Sequence, residues 1–254
     1  RRSVRRRIAV KEKIMIIDAE SLHFSALNEA VRACGEKHIS IKNCVGQRYI
    51  AAGLTGREIE ISGTPGNALG AYLNGGAIRV LGNVQEATGD TMNGGEIDVF
   101  GSAGDASGYA MRGGKIFIRG DAGYRCGIHM KAYKENKPAL VIGGRAGSFL
   151  GEYQAGGIIV VLGNHKDGKP IIGNFCGTGM HGGEIYLRCE KVPAKLPAQV
   201  RAERLEKIPQ GTVRALVSRW CSLFGEQESA FTEAVYYRLT PDSENPYRQM
   251  YAFH

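Results

Sequence analysis

The chain has 254 residues and a formal charge of +8, but five of its first seven residues are arginine, and without them the balance is only +3. That arm (Arg1, Arg2, Arg5, Arg6, Arg7) is expected to be a solvated terminus or a dock for an acidic partner, not a nucleic-acid surface. With no apolar run near the ~20 residues of a membrane span, no apolar centre of a secretory signal behind the arginines, and six cysteines without a C-x-x-C pair, the expectation is a cytoplasmic protein with reduced thiols and no membrane contact.

In chain order, residues 1–43 are predicted to be a basic arm and an α/β cap. IAVKEKIMIID suggests a strand ending at Asp18. Phe24, Leu27, Val31 and Cys34 recur at helical spacing, with Ser21 as a candidate N-cap and Gly35 as a stop. HISIKN alternates apolar and polar residues, as a strand does.

Residues 44–188 carry the dominant feature. Of 36 glycines, 33 lie between Gly46 and Gly183, without the Gly-X-Y period of collagen. LNGGAIRVLGN, MNGGEIDVFGS and MRGGKIFIRGD place their Gly-Gly pairs at Gly75-Gly76, Gly94-Gly95 and Gly113-Gly114, a period of 19 residues. QAGGIIVVLGN and MHGGEIYLRCE repeat the frame at Gly156-Gly157 and Gly182-Gly183. A fixed period marks a stacked repeat. Strands this short and this closely spaced leave no room for a helix in each crossover, which excludes βαβ units. Alternation sends Ile78/Val80, Ile97/Val99, Ile116/Ile118, Leu140/Ile142, Ile159/Val161 and Ile185/Leu187 to one side. A second apolar column runs Leu73, Met92, Met111, Met130, Gln154, Met180. The expected fold is an all-β core: a single-stranded right-handed parallel β-helix of about seven turns, the hand being that of parallel crossovers.

Residues 189–254 lose the repeat and are expected to form a helical and extended arm. LPAQVRAERLEKI and TVRALVSRWCSLFGE look helical, and AVYYRLTPDSENPYRQMYAFH looks extended.

The frame G-x-x-M-x-G-G-x-I-x-V-x-G-x-A-G, together with LNEAVRACG and IKNCVGQRYIAAGL, resembles the GXGXG domain that closes the large subunit of glutamate synthase and its free-standing counterparts. Formylmethanofuran dehydrogenase and N-methylglutamate synthase each have one subunit with a similar domain. The resemblance covers about residues 13–188. It implies a right-handed β-helix that holds catalytic domains together without being catalytic itself. On that resemblance the chain is expected to be a scaffold subunit of a glutamate synthase-type oxidoreductase complex in glutamate biosynthesis. Its partners would be a glutaminase-type subunit and an FMN/ferredoxin-type synthase subunit. FMN and iron–sulfur clusters would sit in those partners and none in this chain. The alternative is an equivalent scaffold in an N-methylglutamate synthase or formylmethanofuran dehydrogenase-like complex.

No residue is assigned a catalytic, cofactor-binding or metal-binding role. Gly177-Thr-Gly179-Met-His-Gly182 matches G-x-G-x-x-G, but a strand follows it where a dinucleotide site needs a helix. Cys126 and Cys176 hold equivalent frame positions two repeats apart, about 9.6 Å at two strand spacings, too far for a disulfide or a shared metal. Cys34 falls on the apolar helix face and Cys189 replaces a corner glycine. His129 and His181 occupy positions of opposite parity and are not expected to converge. The methionine column is core filler, and Asp90, Asp105 and Asp121 are turn residues. A carbohydrate-active enzyme would need paired outward carboxylates. The outward strand positions are Arg79, Asp98, Phe117, Val141, Val160 and Tyr186, of which only Asp98 is acidic. The last four form an apolar stripe that needs a cover, either the C-terminal arm, which is the first expectation, or a partner subunit.

Overall fold

The structure, a computed structural model, describes residues 13–192 and 195–242. The arginine arm and the end of the C-terminal tail lie outside the described residues. The elements are β1 (Ile14–Asp18), α1 (Phe24–Ala33), β2 (His38–Val45), β3 (Arg57–Thr64), β4 (Asn74–Val80), β5 (Gly94–Val99), β6 (Lys115–Ile118), β7 (Ala139–Ile142), β8 (Ala155–Val161), β9 (Gly182–Leu187), β10 (Val200–Leu205), α2 (Thr212–Phe224), α3 (Ser229–Thr232) and β11 (Tyr236–Pro241).

The strands form one open sheet in the order β1-β2-β3-β4-β5-β6-β7-β8-β9-β11-β10. Strands β1 to β9 are parallel, each to the next. Strand β11 turns back antiparallel against β9 and pairs with β10. This corrects the expected right-handed parallel β-helix of about seven turns: the strands belong to a single eleven-stranded sheet with two edges. The reason lies in the segments between strands. Ala68, Ala87, Ala106, Arg125, Phe149 and Phe175 all have φ between 54° and 62°, and Tyr72, Thr91, Ala110, His129 and Tyr153 have φ between 50° and 56°. Backbone in that left-handed region cannot run as a strand. These segments are turns; they stack repeat on repeat through backbone hydrogen bonds, such as the Ala87 N–H to the Asp105 carbonyl and the Thr91 N–H to the Tyr109 carbonyl, and through isolated bridges such as Val84 to Ala103, without forming further strands.

The register is the one that the glycine frame implies. Ile59, Ile78, Ile97 and Ile116 are successive partners, as are Ile61, Val80, Val99 and Ile118. Both columns are buried, with Leu73, Met92, Met111, Met130, Gln154 and Met180 packed beside them between sheet and turns. A stacked column of aliphatics is what a repeat too small to bury its own face needs.

Two local expectations change. Helix α1 is capped by His23, whose Nδ1 accepts from the Ser25 N–H, and not by Ser21. The segment expected to begin the C-terminal arm as a helix contains strand β10 instead. Its Arg201, Ala202, Glu203 and Arg204 pair across a full ladder with β11, a tertiary partner that overrides their high intrinsic helix propensity.

A second core lies on the other face of the sheet. Phe117, Val141, Val160 and Tyr186 pack against Leu216, Val217, Trp220 and Phe224 of α2. Trp220 is fully buried, and its indole N–H donates to the Ile118 carbonyl at 2.8 Å. The C-terminal helix is thus the cover of the apolar stripe.

Candidate functional site

The outward column of the sheet runs Ile16, Ser40, Glu60, Arg79, Asp98, Phe117, Val141, Val160, Tyr186. Helix α2 hides its last four members, and the first four remain open. Over that open half lies a hollow of about 430 Å³ bordered by Ile14, Ile16, Glu58, Glu60, Arg79 and Asp98.

Asp98 stands where the covered half begins. It is only 4% exposed. Its Oδ2 is 3.7 Å from Arg79 Nη2, and its Oδ1 has no hydrogen-bond partner. Next to it, Glu96 ties the sheet to α2 through Arg219, at 2.6 Å. Burial first, then the charge of Glu96, pushes the Asp98 carboxyl up to about 6, against the pull of Arg219 and Arg79.

Linkage fixes the sign of the consequence. The folded carboxyl holds its proton up to a pH of about 6, while the unfolded chain releases it near 3.8. Asp98 therefore draws stability out of the fold as pH rises through that window. Asp98→Asn should match the wild type below about pH 4 and become the more stable of the two above about pH 6. Urea midpoints of both proteins across that range check this, and parallel curves would refute it.

The second concave feature lies where the turn segments lead into the strands. A hollow of about 390 Å³ is lined by Tyr109, Ala110, Arg112, His129, Lys131, Tyr153, Ala155 and His181. The His129 ring stacks on Tyr153 at 5.2 Å and meets Tyr109 edge-on at 5.9 Å. His129 and His181 thus border one hollow, contrary to the expectation from parity. The left-handed residue at the corner turns the chain between their two columns, so strand alternation does not carry across it.

The remaining sequence candidates fall into structural roles. The G-x-G-x-x-G run leads into strand β9, as expected. Cys126 and Cys176 are buried, and burial pushes both thiols up to about 12, so neither is a ready nucleophile. Asp105 accepts from the Tyr124 N–H at 2.8 Å, and Asp121 accepts from the Arg145 N–H at 2.7 Å; each carboxylate ties one repeat to the next. Among the described residues, no three His, Cys, Asp or Glu side chains are grouped as metal ligands, and no helix is long and apolar enough to cross a membrane.

The two ends of the sheet differ in character. Strand β10 presents Arg201, Glu203 and Arg204, the charges with which an edge is kept from pairing. Strand β1 presents Ile14 at 59% exposure and Ile16 at 66%, with Met15 also exposed. Among the described residues nothing pairs with its outer edge. The pattern of IMIID marks β1 as a strand and carries no sign that it ends the sheet.

The GXGXG motif family matches residues 10–236. This extends the resemblance seen in the repeat through α2 and into β11. An uncharacterized protein of Methanocaldococcus jannaschii is 40% identical over 250 residues, covering 93% of this chain and 96% of that protein. Among solved structures, a chain of the formyltransferase/hydrolase complex from Methylorubrum extorquens in complex with methylofuran has a similar fold. Its TM-score is 0.59 at 20% identity, over 85% of this chain and 86% of that chain.

Proposed function

Because the chain belongs to the GXGXG motif family, we propose that it is a structural subunit of a multisubunit enzyme complex and that its open sheet end is where a catalytic partner docks. The observation that carries this reading is the contrast between the two sheet edges. A long sheet with one charged edge and one edge of exposed Ile14, Met15 and Ile16 is a template for strand addition by a partner. The adjoining open half of the outer face continues that surface.

For the complex itself, the repeat frame and the α/β entry segment favour the glutamate synthase type. The partners would then be a glutaminase and an FMN- and iron–sulfur-containing synthase. A second reading is favoured by the fold neighbour in a formyltransferase/hydrolase complex: the same scaffold role in a formylmethanofuran dehydrogenase-like assembly.

Co-expression with the products of neighbouring reading frames tests the role. A stable stoichiometric complex is expected, in which flavin and cluster absorbance follow the partner. Purified alone, the chain should be colourless and should release no ammonia from glutamine. The double substitution Ile14→Asp, Ile16→Asp should abolish the complex and leave the fold intact, because both side chains are already largely exposed. A chain that binds none of these products, or a complex unaffected by the double substitution, would overturn the proposal.

A further inference from the structure

We propose that the hollow at the turn-to-strand corner is a binding site for a small, elongated anion carrying two or more carboxylate or phosphate groups. Successive repeats build it. The backbone N–H groups of Arg112, Lys131, Ala155 and His181 donate in turn to the carbonyls of Met92, Met111, Met130 and Gln154. The four residues are therefore successive rungs of one column. Two cations stand on adjacent rungs, an alanine leaves a gap on the third, and a histidine closes the fourth. At about 4.8 Å per rung, the column from Arg112 to His181 spans roughly 14 Å.

Neither Arg112 nor Lys131 forms an ion pair with any described residue. The acidic side chains of the flanking columns are engaged elsewhere: Glu152 pairs with Arg125 at 3.3 Å, and Asp90 accepts the Thr91 hydroxyl at 2.8 Å. The wall is held in place: His129 is fixed between Tyr109 and Tyr153. The floor is kept open by Ala110 and Ala155, and the volume of about 390 Å³ is within the range of small-molecule sites, roughly 300–1,000 Å³. In the two preceding repeats the same column holds Asn74 and Asn93, so cations enter it only where the hollow lies. An Arg fork and a Lys ammonium side by side suit a carboxylate or a phosphate oxygen pair. His181, with its Nδ1 3.2 Å from the Gly179 carbonyl, closes the far end of the hollow.

Isothermal titration of the purified chain at low ionic strength, with tripolyphosphate in one arm and citrate in the other, tests the site. One-site binding is expected for at least one probe, and the arm that binds identifies phosphate or carboxylate as the preferred group. Arg112→Gln and Lys131→Gln should each weaken that binding on the order of tenfold, as loss of a charge-assisted contact does. Ala155→Leu, which fills the gap without changing charge, should weaken it at least as much. Arg32→Gln, a cation removed from exposed α1, should leave it unchanged. Circular dichroism confirms that each variant is folded, and the double variant Arg112→Gln, Lys131→Gln serves if Ala155→Leu is not. Absence of binding by both probes would overturn the proposal. So would undiminished affinity in the double variant, or an equal loss from Arg32→Gln. None of these outcomes bears on the scaffold role, which rests on the β1 edge of the sheet and the face beside it.

Discussion

Phe117→Asp is expected to abolish most of the folded population, while Arg79→Asp, two rungs away in the same outward column, is tolerated. Phe117 is fully buried under α2. Removing a buried aromatic ring costs about 3–5 kcal/mol, and an unpaired carboxylate in its place adds several more. Against a typical total of about 5–15 kcal/mol, that sum empties the native state. Arg79 keeps its side chain 47% exposed and lies 3.7 Å from Asp98, so its replacement removes no buried apolar surface; setting a second carboxylate beside buried Asp98 should cost about 1–3 kcal/mol, well short of the Phe117→Asp loss. Urea unfolding followed by tryptophan fluorescence reads both effects, because Trp220 lies in the same cluster. A chain ending at residue 189 should fail in the same way as Phe117→Asp, since it loses the cover altogether. Equal midpoints for the two substitutions, or a well-behaved truncated chain, would mean that α2 is not what buries the stripe.

What the sequence disclosed depended on whether a residue's role was local. The strand register was legible because the Gly-Gly pairs and the alternating Ile and Val are spaced by the period itself, and Ile78, Ile97 and Ile116 are stacked partners as that spacing requires. The stripe of Phe117, Val141, Val160 and Tyr186 and its helical cover were legible for a related reason. Four apolar residues on an outward face demand an apolar partner, and TVRALVSRWCSLF supplies one. The single open sheet was not legible. Whether a connecting segment runs extended or turns is decided by residues such as Ala87 and Arg125 in left-handed backbone, and neither residue type announces a positive φ. Strand β10 was missed because VRAERL reads as a polar helix until β11 offers it a ladder.

The candidate surfaces were harder still. Exposure of Ile14 and Ile16 is a property of where the sheet stops, and no pattern within IMIID encodes it. The corner hollow could be glimpsed in the column Arg112, Lys131, Ala155, His181 once the repeats are aligned. Parity was the wrong rule for bringing His129 to the same place, since parity holds along a strand and fails across a left-handed corner. The buried state of Asp98 likewise depends on α2 lying beside it, through Glu96 and Arg219.

Gly76→Ala should open the sheet in its first half, and Gly53→Ala should cost only the backbone strain of its left-handed φ. Both glycines have positive φ, +86° and +68°, so both substitutions incur the left-handed strain of about 1–2 kcal/mol. They differ in space. A Cβ on Gly53 meets nothing within 4 Å, whereas one on Gly76 would lie 2.2 Å from the Arg57 carbonyl oxygen and 2.8 Å from its nitrogen. Arg57 and Gly76 are direct partners in the β3–β4 ladder. Backbone on either side is fixed by its own pairing to β2 and β5, so the clash can be relieved only by separating β3 from β4. The added cost is expected to be at least about 3 kcal/mol. It should appear as a lowered urea midpoint and as faster hydrogen exchange confined at first to β3 and β4. The β1 edge and the Ile16, Ser40 and Glu60 part of the open outer face lie on the far side of that break, so Gly76→Ala should also weaken partner binding while leaving the Trp220 cluster native. If the two glycine variants unfold together, strand spacing at this rung is slack, and the close approach of β3 to β4 is not what holds the sheet in register.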